Sequence, residues 1–418
     1  MERANATPRA MTPLHLAIVE PDVGGHHMAL HVRAIAAEAV RRGWRLTLLT
    51  TAAATRHPAY EVVRRETGAA LTTELLPAET VTRREPRLVR GLALEARRWR
   101  AFRSATLRVL APHGVDVVYV TSLEQTARMI ALRGSPVGGI PFAGMYTKVR
   151  FHHRRMGVPS RIGPRAWLIE AALFPRLLAV PTLRAVPFVD EPLIEWARTR
   201  HAPAWQKLVF VRDASGLRAN VSRPQARAEI GVPAAQLLVL LYGAMNARKG
   251  VAELVAALAD SQMAHRVAML VAGAQDDFTR GVLATEGAAR LRAQGRLYEE
   301  PGFLDDLREA RAFAAADIVW LGYRDFDALS SIMVQAGDAG LPCLATDRGL
   351  TAWNVARYGL GVVVDTGRHD AVVAALLRLA SDTVLRQTYA EHGKAFARGR
   401  TTERFGRSIC DAVSIDSR

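Results

Sequence analysis

Leu237-Leu-Val-Leu-Leu-Tyr242-Gly243-Ala-Met-Asn-Ala-Arg248-Lys249-Gly250-Val251-Ala-Glu-Leu-Val-Ala-Ala-Leu258 joins an apolar run, a turn closed at both ends by glycine, and an apolar helical repeat. The run reads as a strand and the repeat as a helix packed on a sheet. Val267-Ala-Met-Leu-Val-Ala272 follows as the next strand, so the unit is a crossover between parallel strands. Toward the C-terminus the alternation continues through Ile318–Leu321, Cys343–Ala345 and Gly361–Asp365. Toward the N-terminus it appears a first time. Leu14–Glu20 is a strand, Met28–Val40 a helix facing a sheet and Arg45–Thr50 a second strand, with Val115–Thr121 and Ala185–Val189 as later ones.

Two alternating blocks divided by irregular sequence near 200–235 predict an α/β protein with two Rossmann-like lobes facing across a cleft. The expected boundaries are a disordered tail over 1–12, a first lobe over 13–200, a second over 201–382, and a helical segment over 383–418 that packs back toward the first. A length of 418 residues, half of them hydrophobic, fits two ordinary cores. Cys343 and Cys410 are too few for a disulfide framework and lack the spacing of a zinc site, which fits a reducing cytoplasm. Leu14–Val19 is too short for a signal-peptide core or a membrane span.

Pro21-Asp-Val-Gly24-Gly25-His26-His27 occupies the turn between the first strand and the first helix. Glycine there permits close approach of a ligand, and a following helix start offers free N–H groups to an anion. The spacing is not the dinucleotide fingerprint. His26 and His27 are candidates to face the cleft on the acceptor side, against the alternative of surface or structural histidines. Gly243 to Gly250 is the matching turn of the second block. Arg248 and Lys249 are adjacent cations at a helix start, an arrangement that a bound anion would offset. Only four of the 56 basic residues are lysine, Lys148, Lys207, Lys249 and Lys394, which singles out Lys249 as a phosphate ligand.

This turn and its helix resemble the turn before the donor-site helix of family 4 (group 1) retaining glycosyltransferases, which have the GT-B fold. A second stretch is similar to that family. It runs Tyr323-Arg-Asp-Phe-Asp327-Ala-Leu-Ser330-Ser331-Ile-Met-Val-Gln335-Ala-Gly-Asp-Ala-Gly340-Leu-Pro342, and is followed by Asp347-Arg-Gly349 and Gly359–Asp365. The resemblance covers most of 235–382 and, more loosely, 14–50. It implies that Lys249 and a nearby arginine hold the donor diphosphate. Asp327 and Gln335 stand where relatives have two glutamates that contact the donor sugar and the ribose. Ser330-Ser331 is similar to the Ser-Ser-Gly turn of some members. Ala244 stands where the family usually has arginine, leaving Arg248 to substitute from the other side of the loop. Tyr146 and Lys148 lie where many relatives place a histidine loop.

The chemistry implied is displacement of a nucleoside diphosphate from a sugar's anomeric carbon by an acceptor hydroxyl, with retained configuration. Gly24, Gly25, Gly243, Lys249, Ser330, Ser331 and Gln335 are expected to bind the donor, UDP- or GDP-linked. Lys249, Arg248 and Asp327 are expected to serve catalysis, with no cofactor and no metal. A glycan or lipid-linked acceptor in cell-surface polysaccharide or glycolipid synthesis follows from the same resemblance. A nucleotide-sugar-binding scaffold and a sugar-nucleotide epimerase are the alternatives on this fold.

The net charge of +16 lies mainly in the first 200 residues, with 30 Lys and Arg against 16 Asp and Glu. The tract 83–103 concentrates it. Leu88, Leu92, Trp99 and Phe102 form an apolar stripe beside arginines, an arrangement suited either to peripheral contact with an anionic membrane at the inner face or to a solvated helix packed on the lobe. No nucleic-acid-binding motif accompanies the charge.

Overall fold

The structure, a computed structural model, describes residues 13–22, 27–77, 88–110, 112–263 and 267–414. Among the described residues thirteen strands form two sheets in which every pairing is parallel. In the first sheet β1 (His15–Val19), β2 (Arg45–Thr51), β3 (Leu71–Leu76), β4 (Val117–Val120), β5 (Phe142–Gly144), β6 (Leu183–Phe188) and β7 (Leu208–Phe210) lie in the order β3-β2-β1-β4-β5-β6-β7. The second sheet contains β8 (Leu237–Tyr242), β9 (Val267–Gly273), β10 (Leu297–Pro301), β11 (Ile318–Leu321), β12 (Cys343–Thr346) and β13 (Gly361–Val364), ordered β10-β9-β8-β11-β12-β13.

The apolar runs are long because both faces of each sheet are covered. On β1, Leu16 and Ile18 enter one core and Ala17 and Val19 the opposite one. On β8, Val239 and Leu241 enter one core and Leu238 and Leu240 the other. The strand order reverses between β1 and β4 and again between β8 and β11. The carboxyl ends of these pairs are the places where such sheets leave a crevice for ligands.

Two boundaries differ from the sequence expectation. β7 belongs to the first sheet, so the first lobe extends past residue 200. The C-terminal segment is split: the helix Thr383–Ala397 stays on the second lobe, where Gly393 packs against Gly337. The helix Thr402–Ser414 crosses back and buries Phe405, Ile409, Cys410 and Val413 in a first-lobe core. A Cβ at Gly406 would stand 2.3 Å from the carbonyl oxygen of Ala34, so the two helices touch backbone to backbone there. The tail 1–12 lies outside the described residues.

Among the described residues no helix is long and apolar enough to cross a membrane. The basic tract 83–103, from residue 88 on, packs on the first lobe, the second of its two readings. From Leu88 to Ala105 it is a helix whose Trp99 and Phe102 rings are buried in the first-lobe core, and Trp99 Nε1 donates to the Gly134 carbonyl at 2.9 Å. An amphipathic stripe records that an apolar surface covers it, and here that surface is the protein's own. The side chain of Leu88 lies outside what is described; Leu92 is exposed, as are Arg97, Arg100 and Arg103.

Phe405 is fully enclosed at the join between the C-terminal helix and the first lobe. Phe405→Ala is expected to cost about 3–5 kcal/mol, and Val384→Ala, on the exposed face of the preceding helix, about 0.5 or less. Urea unfolding followed by circular dichroism measures both, and equal midpoints for the two variants would contradict the docking described.

Candidate active site

The carboxyl end of β8 runs directly into the Gly243 turn. Gly243 has φ of +104°, which strains any residue with a side chain, and an added Cβ would lie 3.2 Å from Lys249 Nζ. The turn closes at Gly250, φ +70°, where a Cβ would meet the Gly322 carbonyl oxygen at 2.2 Å. Trp320 Nε1 donates to the Lys249 carbonyl at 2.9 Å, and Arg324 N donates to the Arg248 carbonyl at 2.8 Å. The loop is therefore pinned to the end of β11, the other half of the switch point.

Lys249 is turned inward and only 7% exposed. Its Nζ donates to the Tyr242 carbonyl at 3.0 Å and to Tyr323 Oη at 3.3 Å, and stands 5.0 Å from the centre of the Tyr323 ring. Tyr323 Oη in turn shares a hydrogen bond of 2.7 Å with Ser330 Oγ. Burial, and secondarily the neighbouring Arg248 guanidinium, bring the amine down to about 7. Lys249, Gly243 and Ser330 are thus one contiguous group. Arg248 is exposed, its guanidinium 4.8 Å over the Phe326 ring at the rim of the same loop. Ser331 follows Ser330 at the start of the helix Ile332–Asp338.

Gln335 is buried and donates through Nε2 to Glu309 Oε1 at 2.5 Å, the oxygen that also accepts from Tyr242 Oη at 2.6 Å. Burial raises the Glu309 carboxyl, against the lowering effect of those two donors. A carboxylate therefore stands beside Gln335 although the sequence has none at that position. It was missed because it comes from the helix Asp306–Ala315, whose apolar spacing gives no hint that Glu309 faces the cleft.

Asp327 is placed differently. Its Oδ2 accepts from Arg150 Nη1 of the first lobe at 3.2 Å, and Arg150 is also paired with Glu170 at 2.9 Å. Three further contacts bridge the lobes: Gly349 N to the Pro159 carbonyl at 2.5 Å, Tyr358 Oη to Glu191, and Arg33 to Asp306 at 2.9 Å. Asp327 is part of this latch rather than of the Lys249 group.

On the first lobe, the β1 and β4 ends meet at Glu20, which is fully buried. Its Oε2 accepts from Thr121 Oγ1 at 2.6 Å and lies 3.2 Å from His27 Nδ1. His27 stacks on His31 at 5.2 Å, and His31 on Phe405 at 4.7 Å. Burial opposes charge on His27, but Glu20 outweighs it and raises the imidazole. Gly24, Gly25 and His26 lie outside the described residues. Tyr146 packs between Phe174 and Phe188 and lines a cavity of about 200 Å³ with Glu124, Arg128 and Glu170. Lys148 is exposed. Among the described residues one set of three metal-ligating side chains also comes together, His152, His153 and Asp190, which no sequence spacing had suggested.

Residues 222–396 match the family model described as glycosyl transferases group 1. Over 205 residues the chain is 25% identical to the lipopolysaccharide core biosynthesis glycosyltransferase LpsD of Rhizobium meliloti (strain 1021). That match covers 48% of this chain and 54% of LpsD, so the chain spans about half the length of that curated relative. Among solved structures, sucrose-phosphate synthase from Thermosynechococcus elongatus superposes with a TM-score of 0.67 at 17% identity, covering 95% of this chain and 98% of its own. WaaG, a glycosyltransferase involved in lipopolysaccharide biosynthesis, gives 0.64 at 17%, covering 96% and 100%. Anabaena Alr3699/HepE in complex with UDP and glucose gives 0.65 at 15%, covering 96% and 99%. The chain therefore has the GT-B fold, and its second lobe matches the group 1 glycosyltransferases.

Proposed function

We propose that this protein transfers a sugar from a nucleoside diphosphate sugar to an acceptor hydroxyl, with retention of configuration as in family 4. The observation that carries the reading is the buried Lys249 amine beneath the Gly243 turn, at the switch point of a lobe that matches group 1 glycosyltransferases. The donor diphosphate would lie over Gly243, with Lys249 beneath it and Ser330 and Ser331 opposite. Lys249 and Arg248 would stabilise the negative charge that develops as the nucleoside diphosphate leaves, so the step needs no metal ion. Gln335, together with Glu309, offers hydrogen-bond acceptors for ribose hydroxyls.

The acceptor enters from the first-lobe side, where His27 is oriented by Glu20. Closure of the lobes, held by Arg150–Asp327 and Arg33–Asp306, excludes the water that would hydrolyse the donor. A glycan or lipid-linked acceptor in cell-surface polysaccharide synthesis is supported by the likeness to LpsD. UDP is the first nucleotide to test, because Alr3699/HepE is described in complex with it. Work at the inner membrane face would rely on the exposed Arg97, Arg100 and Arg103 rather than on the buried rings.

UDP, GDP or ADP at millimolar concentration without metal is expected to stabilise the native protein, by about 2.7 kcal/mol at a hundredfold excess over Kd. Lys249→Met should keep its fold and lose most of that stabilisation. Thermal unfolding of both proteins measures it, and the absence of any nucleotide effect on the unmodified protein would contradict the donor site. Nucleotide binding without transfer or hydrolysis of any sugar donor would instead favour the scaffold reading.

The pH dependence follows from the lysine. In the free protein its amine titrates near 7, and a bound diphosphate favours the charged form, so binding takes up a proton above that pH. Affinity is therefore expected to fall as pH rises from 7.5 to 9, by up to about tenfold per unit, while the nucleotide's own phosphate stays ionised. Isothermal titration should find this slope in the native protein and not in Lys249→Met; an equal slope in both would remove the assignment.

A further inference from the structure

We propose that His152, His153 and Asp190 bind a structural divalent transition-metal ion, zinc by preference, behind the seam between the lobes. His152 and His153 follow β5, and Asp190 follows β6, the neighbouring strand, so the parallel pairing brings the two loops together. The three residues are at most 2% exposed. Both ring nitrogens of each histidine, and Asp190 Oδ2, make no hydrogen bond among the described residues. Asp190 Oδ1 is used, accepting from Leu193 N at 2.9 Å as the cap of the helix Glu191–Ala197, which fixes the carboxylate and leaves Oδ2 aimed at the imidazoles. Buried polar groups without a hydrogen bond cost about 1–3 kcal/mol each, and three side chains that each turn a ligand atom toward the others call for a missing partner.

Geometry favours a cation as that partner. His152 Nε2 lies 3.0 Å and His153 Nε2 3.7 Å from Asp190 Oδ2, and the two rings stand at 81° with centroids 4.7 Å apart. The first contact is not aligned as a hydrogen bond and the second is too long for one. A tetrahedral zinc with bonds of about 2.0–2.1 Å separates its ligand atoms by about 3.3 Å, between the two distances observed. Two imidazoles and one carboxylate form a nitrogen-rich set that suits zinc better than magnesium or calcium. The imidazole Nδ1 atoms, and Trp196 Nε1 nearby, leave partners for ordered water around the ion.

The site would act through position rather than chemistry. Arg150, two residues before His152, holds Asp327 of the second lobe, and Glu191, next to Asp190, holds Tyr358. An ion joining these two loops stiffens both supports of the latch without touching the proposed donor site, so its test is independent of the transferase reading.

The untagged full-length protein, expressed with zinc supplementation and passed through gel filtration, is expected to retain about one zinc per chain by mass spectrometry. His153→Gln and Asp190→Asn should each reduce the content at least tenfold, and a strong chelator should lower the melting temperature of the native protein but not of the variants. Cobalt substitution of the native protein should give the visible absorption of a tetrahedral nitrogen–oxygen site, a readout that does not require the variants to fold. Zinc well below one per chain in the native protein would leave only buried water in the pocket and overturn the proposal. Unchanged zinc in the variants would assign the metal to adventitious surface binding and overturn it equally.

Discussion

An amine removed from water needs a reason to be there, and the Gly243 turn is built around the buried Lys249. Its Nζ is held by the Tyr242 carbonyl and Tyr323 Oη, beneath a glycine that no other residue could replace without strain. Desolvation leaves the amine poised near neutrality, so an arriving anion gains more from it than from a solvated lysine. The surrounding parts serve to keep that geometry. Trp320 and Gly322 pin the loop, Ser330 fixes Tyr323, and the reversal of strand order at β8 and β11 opens the crevice above.

Between the lobes, charged side chains make specific polar contacts. Arg33 spans Glu66 and Asp306, while Arg150 spans Glu170 and Asp327, so each arginine is anchored in the first lobe and reaches into the second. Among the described residues the chain crosses between the lobes twice, and the two crossings run side by side where Ser215 N donates to the Arg400 carbonyl at 2.9 Å. Charge-assisted hydrogen bonds of this kind are stronger than neutral ones and hold the two lobes in the arrangement seen. In this arrangement Asp327 pairs with Arg150 of the first lobe.

Much of the fold was legible because strands buried on both faces appear as unbroken apolar runs, as in Leu237–Tyr242 and Val267–Ala272. The strands missed were short or edge-like. β3 carries Thr72, Thr73 and Glu74, β10 carries Glu299 and Glu300, and β5 and β7 are three residues each, too brief for periodicity to register. Glycine turns and a scarce lysine drew attention to Gly243 and Lys249. Glu309, Arg150 and the His152–His153–Asp190 cluster were not legible, since each gains meaning only from a partner brought close by folding. The stripe of Trp99 and Phe102 was legible as amphipathic but left two coverings open, lipid or the lobe itself, because periodicity distinguishes inside from outside without saying whose inside it is.

The most direct test of the central claim is a crystal structure with whichever nucleoside diphosphate binds most tightly. The diphosphate is expected over Gly243, with a phosphate oxygen within about 3 Å of Lys249 Nζ. A diphosphate bound elsewhere in the cleft, with Lys249 still turned onto Tyr242 and Tyr323 alone, would contradict it.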